Sequence, residues 1–255
     1  LMNGNFNFLK IMIPLKDDIP TLNKPIARNY ILAICVIVFI LQIMSPGYRS
    51  GELFYSYGLI PSVLFDTQQL PENIYAIPAV ATIFTSMFMH GGFMHLAGNM
   101  LYLWIFGDNI EGALGHFRFI LFYILCGIAA AFTQILSAPD STIPMIGASG
   151  AVSGVLGAYL IFYPRARIRT FVFLGIFITF LRLPAVLLLG FWILGQVISA
   201  ILSNPGSPGV AWFAHLGGFF AGMLLAPLLK KPNIRIFQKP RTKVKEKTIK
   251  IRFRK

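Results

Sequence analysis

Runs of apolar residues on the scale of a membrane-crossing helix constrain this chain more than any other feature. Six can be marked, at residues 29–44, 95–106, 119–136, 150–163, 184–202 and 211–229. A hydrocarbon core about 30 Å thick demands about 20 apolar residues of each spanning helix. The blocks at 95–106 and 150–163 are short, and reach that length only when their small and weakly polar neighbours, His90–Met94 and Met145–Ser149, are added. A span that mixes Gly, Ser, His and Asn with apolar residues faces protein or water, because polar groups exposed to hydrocarbon are expensive. Residues 171–181 form a seventh run, but its eleven residues are too few to span, so it is read as a loop or interfacial segment. The expected fold class is all-α, a polytopic membrane protein with six transmembrane helices.

Composition agrees. Of 255 residues 56% are hydrophobic and 12% charged, with a mean hydropathy of +0.71, outside the soluble range of about 45–50% apolar and about 25% charged. The 22 Lys and Arg against 9 Asp and Glu would suggest nucleic acid in a soluble protein, but residues 230–255 alone hold 12 basic residues and one acidic. That tail offers charge without a reading module, so anionic lipid is the expected partner and nucleic acid is not. Positive charge collects in cytoplasmic loops. Lys10, Lys16, Lys24 and Arg28 precede the first block, and Arg165, Arg167, Arg169 and Arg182 fill the fourth connection. Six spans with both termini cytoplasmic satisfy every connection; seven do not. The expected organisation is a loose cytoplasmic arm at 1–28 without a cleavable signal, a bundle at 29–229 and a basic cytoplasmic tail at 230–255. The connection at 45–89 is long enough to be a functional element. Cys35 and Cys126 lie inside apolar blocks as packing residues, with no zinc pattern around them.

Polar residues inside such a bundle are the informative ones: His90, His95, Asn99, Ser149, Ser153 and His215. His95 and Asn99, four apart, share one helix face and can address one point; alone, the pair serves equally well as interhelical glue. Ser149 sits between Gly147 and Gly150 where a helix opens, a place with free N–H groups and a positive dipole end. The same segment, with Gly150, Ser153, Gly154 and Gly157, also forms a small-residue face for tight packing. His215 heads a second small-residue stripe through Gly218, Gly222 and Ala226. Loop charge puts Ser149, His215, His95 and Asn99 at one depth on one side. An exposed Ser, a His able to take its proton and donors aimed at a common spot satisfy the requirements of acyl transfer. Asp108, Glu111 and Asp140 do not reach His215 in this scheme, which leaves a Ser149–His215 dyad.

The runs His90-Gly-Gly-Phe-Met-His95-Leu-Ala-Gly-Asn99, Gly147-Ala-Ser149-Gly150 and Ala214-His215-Leu-Gly-Gly218 with Gly222 resemble, in order and in register, the rhomboid family of intramembrane serine proteases. The resemblance runs from about Ile13 to about Leu229. It implies a rhomboid-like bundle with a membrane-associated first loop, Ser149 and His215 as catalytic dyad, His95 and Asn99 with the Ser149 N–H as oxyanion hole, no cofactor and no metal. Glu111, ending the run that starts at Trp104, would be a structural hydrogen-bonding residue. Two positions depart from the pattern. Ala81-Thr82 stands where some members place Trp-Arg in the first loop, and Ser153 where some place an aromatic ring that stacks on the histidine. The expected activity is cleavage of transmembrane segments of other membrane proteins near the outer face of a bacterial-type cell membrane. A catalytically inactive rhomboid-like binding or quality-control protein is the alternative, but would ordinarily lack the Ser or the His. A transporter would call for midplane ionisable groups or paired broken helices, and the sequence shows neither. Nothing in it bears on oligomeric state.

Overall fold

The computed structural model describes residues 12–174, 177–204 and 206–238. The arm before residue 12 and most of the basic tail, with its expected lipid contact, lie outside the described residues. Among the described residues, six helices of 14 residues or more coincide with the six apolar blocks: α1 (Ile26–Met44), α2 (Phe93–Leu114), α3 (His116–Ser137), α4 (Ser149–Phe162), α5 (Ala185–Leu202) and α6 (Trp212–Leu229). Of these, α1, α3, α5 and α6 are long and apolar enough to cross a membrane. The α2 helix carries Asp108 and Glu111 toward its C-terminal end. The α4 helix has 14 residues, about 21 Å at 1.5 Å per residue. The expected lengthening of the fourth block through Met145 does not occur, because helix geometry begins only at Ser149.

Residues 150–159 of α4 are all buried, which makes it the central element of the bundle. Its closest neighbour is α6, and the backbones nearly touch. A Cβ on Gly218 would lie 1.9 Å from the Gly150 carbonyl oxygen, one on Gly222 2.0 Å from the Gly154 oxygen, and one on Gly157 2.1 Å from the Phe219 oxygen. Only hydrogen fits at these positions. On the α3 side, Cys126 packs against Gly154, and both cysteines are free and buried.

The α1 helix is capped by a residue far away in sequence. Both oxygens of Glu111 accept backbone hydrogen bonds in its first turn, from Ala27 at 2.9 Å and Arg28 at 2.7 Å, and His116 Nδ1 also contacts this carboxylate. A buried carboxylate is costly unless paired, and the free N–H groups and positive end of a helix offset that cost. Arg28 closes the corner, donating to the Trp104 carbonyl at 2.7 Å with its guanidinium 4.1 Å from the Trp104 ring centroid.

One part of the all-α expectation is corrected. The fourth connection folds as two antiparallel strands, β2 (Arg167–Leu174) and β3 (Phe177–Pro184), and β1 (Met12–Lys16) adds to the outer edge of β2. Ile168, Thr170 and Val172 point inward while Arg167, Arg169 and Phe173 are exposed, the period-two pattern of a half-buried strand. The 171–181 run is therefore strand and turn, and the N-terminal arm is a sheet edge from Met12 onward. Beyond β1, Asp17 Oδ2 accepts hydrogen bonds from Asn109 at 2.7 Å and Tyr159 at 2.5 Å, tying the arm to α2 and α4.

Gly218→Val should cost about 1–3 kcal/mol, a fall of roughly 3–10 °C in the melting midpoint in detergent. Gly190→Ala, with nothing within 4 Å of the new methyl, should leave it within about 2 °C. Burial pushes the Asp17 carboxyl up from 3.8 to about 7, against the Tyr159 hydrogen bond and with the help of Asp108 and Asp18. The folded state thus holds this proton more tightly than the unfolded chain, so stability should fall as pH rises between 3.8 and about 7. Melting midpoints of Asp17→Asn across that range should lose this part of the slope.

Candidate active site

The loop leading into α2 is held from α1. The Gln42 side chain grips the His90 backbone at both ends, Nε2 donating to the His90 oxygen at 3.2 Å and Oε1 accepting from the His90 N–H at 3.1 Å. One turn later His95 Nδ1 accepts from the Gly91 N–H at 3.3 Å. That acceptor role puts the proton of a neutral His95 on Nε2, which leaves Nε2 a donor. His90 is fully buried, directs Nδ1 to the Phe88 carbonyl and meets His95 edge to face at 5.2 Å, so it packs behind the site. Asn99 is buried one turn along, and among the described residues its Nδ2 has no hydrogen-bond partner. An unpaired buried amide N–H costs about 1–3 kcal/mol, the kind of deficit that a bound group can relieve.

Ser149 is the first residue of α4 and is half-buried. It follows Gly147, whose φ of +126° only glycine adopts freely, and Gly147 is pinned by its N–H on the Ser86 carbonyl at 2.8 Å. A Cβ on Gly147 would lie 2.7 Å from His95 Nε2 and 3.6 Å from Ser149 Oγ. The His95 donor and the Ser149 hydroxyl therefore flank one small volume beside the first turn of α4, where N–H groups lack intrahelical acceptors. Ser153, also singled out from the sequence, donates to the Ser149 carbonyl at 2.6 Å. Its hydroxyl is thereby engaged in the helix.

His215 lies in the first turn of α6, beside the start of α4. A Cβ on Gly150, the residue after Ser149, would lie 3.7 Å from the oxygen of Ala214, the residue before His215. His215 Nδ1 is 2.6 Å from Gln196 Oε1 of α5, and the Trp192 ring lies 6.0 Å from the imidazole at a tilt of 33°. Sequence reasoning passed over both α5 residues. Their signal was a lone amide in a helix whose one other polar side chain is Ser199, with a Trp one turn before the amide. The ring that Ser153 fails to supply thus comes from a different helix.

His95, Asn99, Ser149 and His215 line a single cavity of about 1010 Å³, to which Ser203, Asn204 and residues 207–211 also contribute. The loop ahead of Ser149 is fixed by the 45–89 connection. Leu59 and Met145 exchange backbone hydrogen bonds at 3.0 and 2.8 Å, and Ser62 donates to Ser141 at 3.1 Å. That connection needs no Trp-Arg pair, because Thr85 bonds the Tyr57 carbonyl at 2.6 Å, Ile83 packs with Ala131 and Ile135, and Met87 presses on Gly127. Among the described residues, no cluster of three or more His, Cys, Asp or Glu side chains is placed to hold a metal ion.

A mostly helical chain with four helices suited to crossing a membrane, and a serine and two histidines around one cavity, defines an integral membrane protein with a built polar site. The rhomboid domain model matches residues 78–232, more than half of the chain, and the protein belongs to the rhomboid family. It is 31% identical over 159 residues to the mitochondrial rhomboid protein 1 of Saccharomyces cerevisiae, covering 59% of this chain and 42% of that one. It is 29% identical over 216 residues to the rhomboid protease GluP of Bacillus subtilis, covering 85% and 37%. It is 28% identical over 164 residues to the chloroplastic rhomboid-like protein 11 of Arabidopsis thaliana, covering 60% and 54%. The chain thus spans about half or less of the length of these relatives.

Gly147→Ala would force a methyl into the His95 ring and hold alanine at a positive φ. It should destabilise the protein by about 1–3 kcal/mol, read as a lowered melting midpoint in detergent.

Proposed function

We propose that this protein is an intramembrane serine endopeptidase in which Ser149 attacks the scissile carbonyl and His215 takes the serine proton and later returns it to the leaving amine. The observation that carries this reading is the convergence of the Ser149 hydroxyl, the His95 Nε2 donor and the unpartnered Asn99 amide on one cavity that His215 also lines. The developing oxyanion would be held by His95 Nε2–H, Asn99 Nδ2–H and the N–H groups at the start of α4, donors fixed before reaction begins. The match to a protein named as a protease, GluP, supports the same chemistry.

In this reading α2 and α4 complete a six-span bundle with both termini cytoplasmic, and the Arg-rich β2–β3 hairpin faces the cytoplasm. The α4 helix is about 9 Å shorter than a hydrocarbon core of about 30 Å, so Ser149 is recessed below the outer face and the cavity above it admits water. Substrates are transmembrane segments of other membrane proteins, which must unwind locally to release a carbonyl from its helical hydrogen bond. The membrane is a bacterial-type cell membrane, and the basic tail contacts anionic lipid.

The test is cleavage of a single-span reporter, with Gly and Pro near its outer end, by the purified protein in liposomes. Wild type should cleave it, Ser149→Ala and His215→Ala should not, and Asn99→Ala should lower kcat by about 10²–10³-fold with little change in KM. Cleavage by Ser149→Ala at the wild-type rate would end the proposal. Binding of the reporter without cleavage by wild type would instead support a rhomboid-like binding protein.

A further inference from the structure

We infer that Gln196 is a positioning residue for His215, fixing the tautomer and plane of its imidazole from α5 in the place an acidic side chain occupies in soluble Ser-His-Asp hydrolases. The inference rests on the assignment of Ser149 and His215 as the reacting pair.

The contact is short, 2.6 Å between Gln196 Oε1 and His215 Nδ1, and the amide is buried, with 7% of Gln196 exposed. A side-chain amide oxygen only accepts, so Nδ1 must carry the proton. The lone pair of the neutral ring is then on Nε2, the nitrogen free to take a proton from a serine. The plane of the ring is set by the same helix. Trp192, one turn before Gln196 and on the same face of α5, lies 6.0 Å from the imidazole at a tilt of 33°, and Trp212 of α6 meets it edge-on at 6.2 Å. The neighbouring titratable group acting on His215 is His95 of α2; its Nε2 is already assigned as a donor. As His215 gains a proton, the Gln196 oxygen becomes the acceptor for an imidazolium N–H, and the hydrogen bond strengthens as positive charge develops. A contact that merely tied α5 to α6 would do none of this.

The experiment uses the full chain in liposomes and a fluorophosphonate probe, with Ser149→Ala as the blank. Gln196→Ala should label about 10- to 100-fold more slowly and lower reporter kcat by a similar factor, with KM nearly unchanged. Gln196→Glu restores an acceptor and adds a charge that favours protonated His215. It should recover labelling to within about threefold of wild type and move the acid limb of the rate profile to higher pH, because His215 must lose its proton to act as base. Nitrogen-15 NMR of histidine-labelled wild type should find Nδ1 protonated and Nε2 bare on His215, a readout that stands even if a Gln196 variant misfolds. Wild-type labelling by Gln196→Ala, an unshifted profile in Gln196→Glu, or the opposite tautomer overturns the inference while leaving a Ser149-dependent enzyme. Labelling that persists in Ser149→Ala overturns the catalytic assignment and the inference with it.

Discussion

The near-contact of the α4 and α6 backbones is the interaction on which the rest of the molecule depends. In lipid, apolar side chains gain little by leaving one apolar environment for another, so helices associate through close packing and polar contacts. The hydrogens of Gly150, Gly154, Gly157, Gly218 and Gly222 let the two helices approach until a methyl on three of these residues would overlap a carbonyl oxygen of the facing helix. Because Ser149 heads α4 and His215 lies in the first turn of α6, the packing that holds the bundle together also brings these two residues to one place. Stability and site geometry are here a single constraint.

Around that axis the other elements supply orientation. The α2 helix brings His95 and Asn99, with Gln42 of α1 and the Gly91 N–H setting the approach. The 45–89 connection braces the loop before Ser149 through the Leu59–Met145 bridge. The α5 helix, which shows a largely apolar face outward, turns Trp192 and Gln196 inward to His215. At the other end of the bundle, Glu111 and Asp17 tie α1 and β1 to α2 and α4. The polar groups of the interior thus fall into two sets, one at each end of α4, separated by its buried small and apolar residues.

The helices were legible from the lengths of the apolar blocks, and the polar residues that line the cavity from the rule that polar side chains inside such blocks need a partner or a purpose. The sheet was missed because residues 165–182 were judged by the length that a spanning helix requires. The alternation of Arg165, Arg167 and Arg169 with Ala166, Ile168 and Thr170 carried a strand signal that this criterion ignores. The opening of α4 at Ser149 was legible in the flanking glycines, but the lengthening of that span back through Met145 was not refuted by sequence, because the bridge that holds Met145 to Leu59 is a tertiary contact. Gln196 lay hidden for a similar reason. An amide nineteen residues before a histidine reads as interhelical glue until the fold puts the two side by side.

In the proposed mechanism Ser149, His95, Asn99 and His215 act together on one scissile carbonyl group, the serine attacking its carbon, the histidine taking the serine proton and the two donors holding its oxygen. The measurement that tests it most directly is an experimental structure of the protein after reaction with a fluorophosphonate. Phosphorus should be bonded to Ser149 Oγ, with its oxygen within hydrogen-bond reach of His95 Nε2 and Asn99 Nδ2 and with His215 Nε2 facing Ser149 Oγ. An adduct on another residue, or a phosphoryl oxygen turned away from both donors, would contradict it.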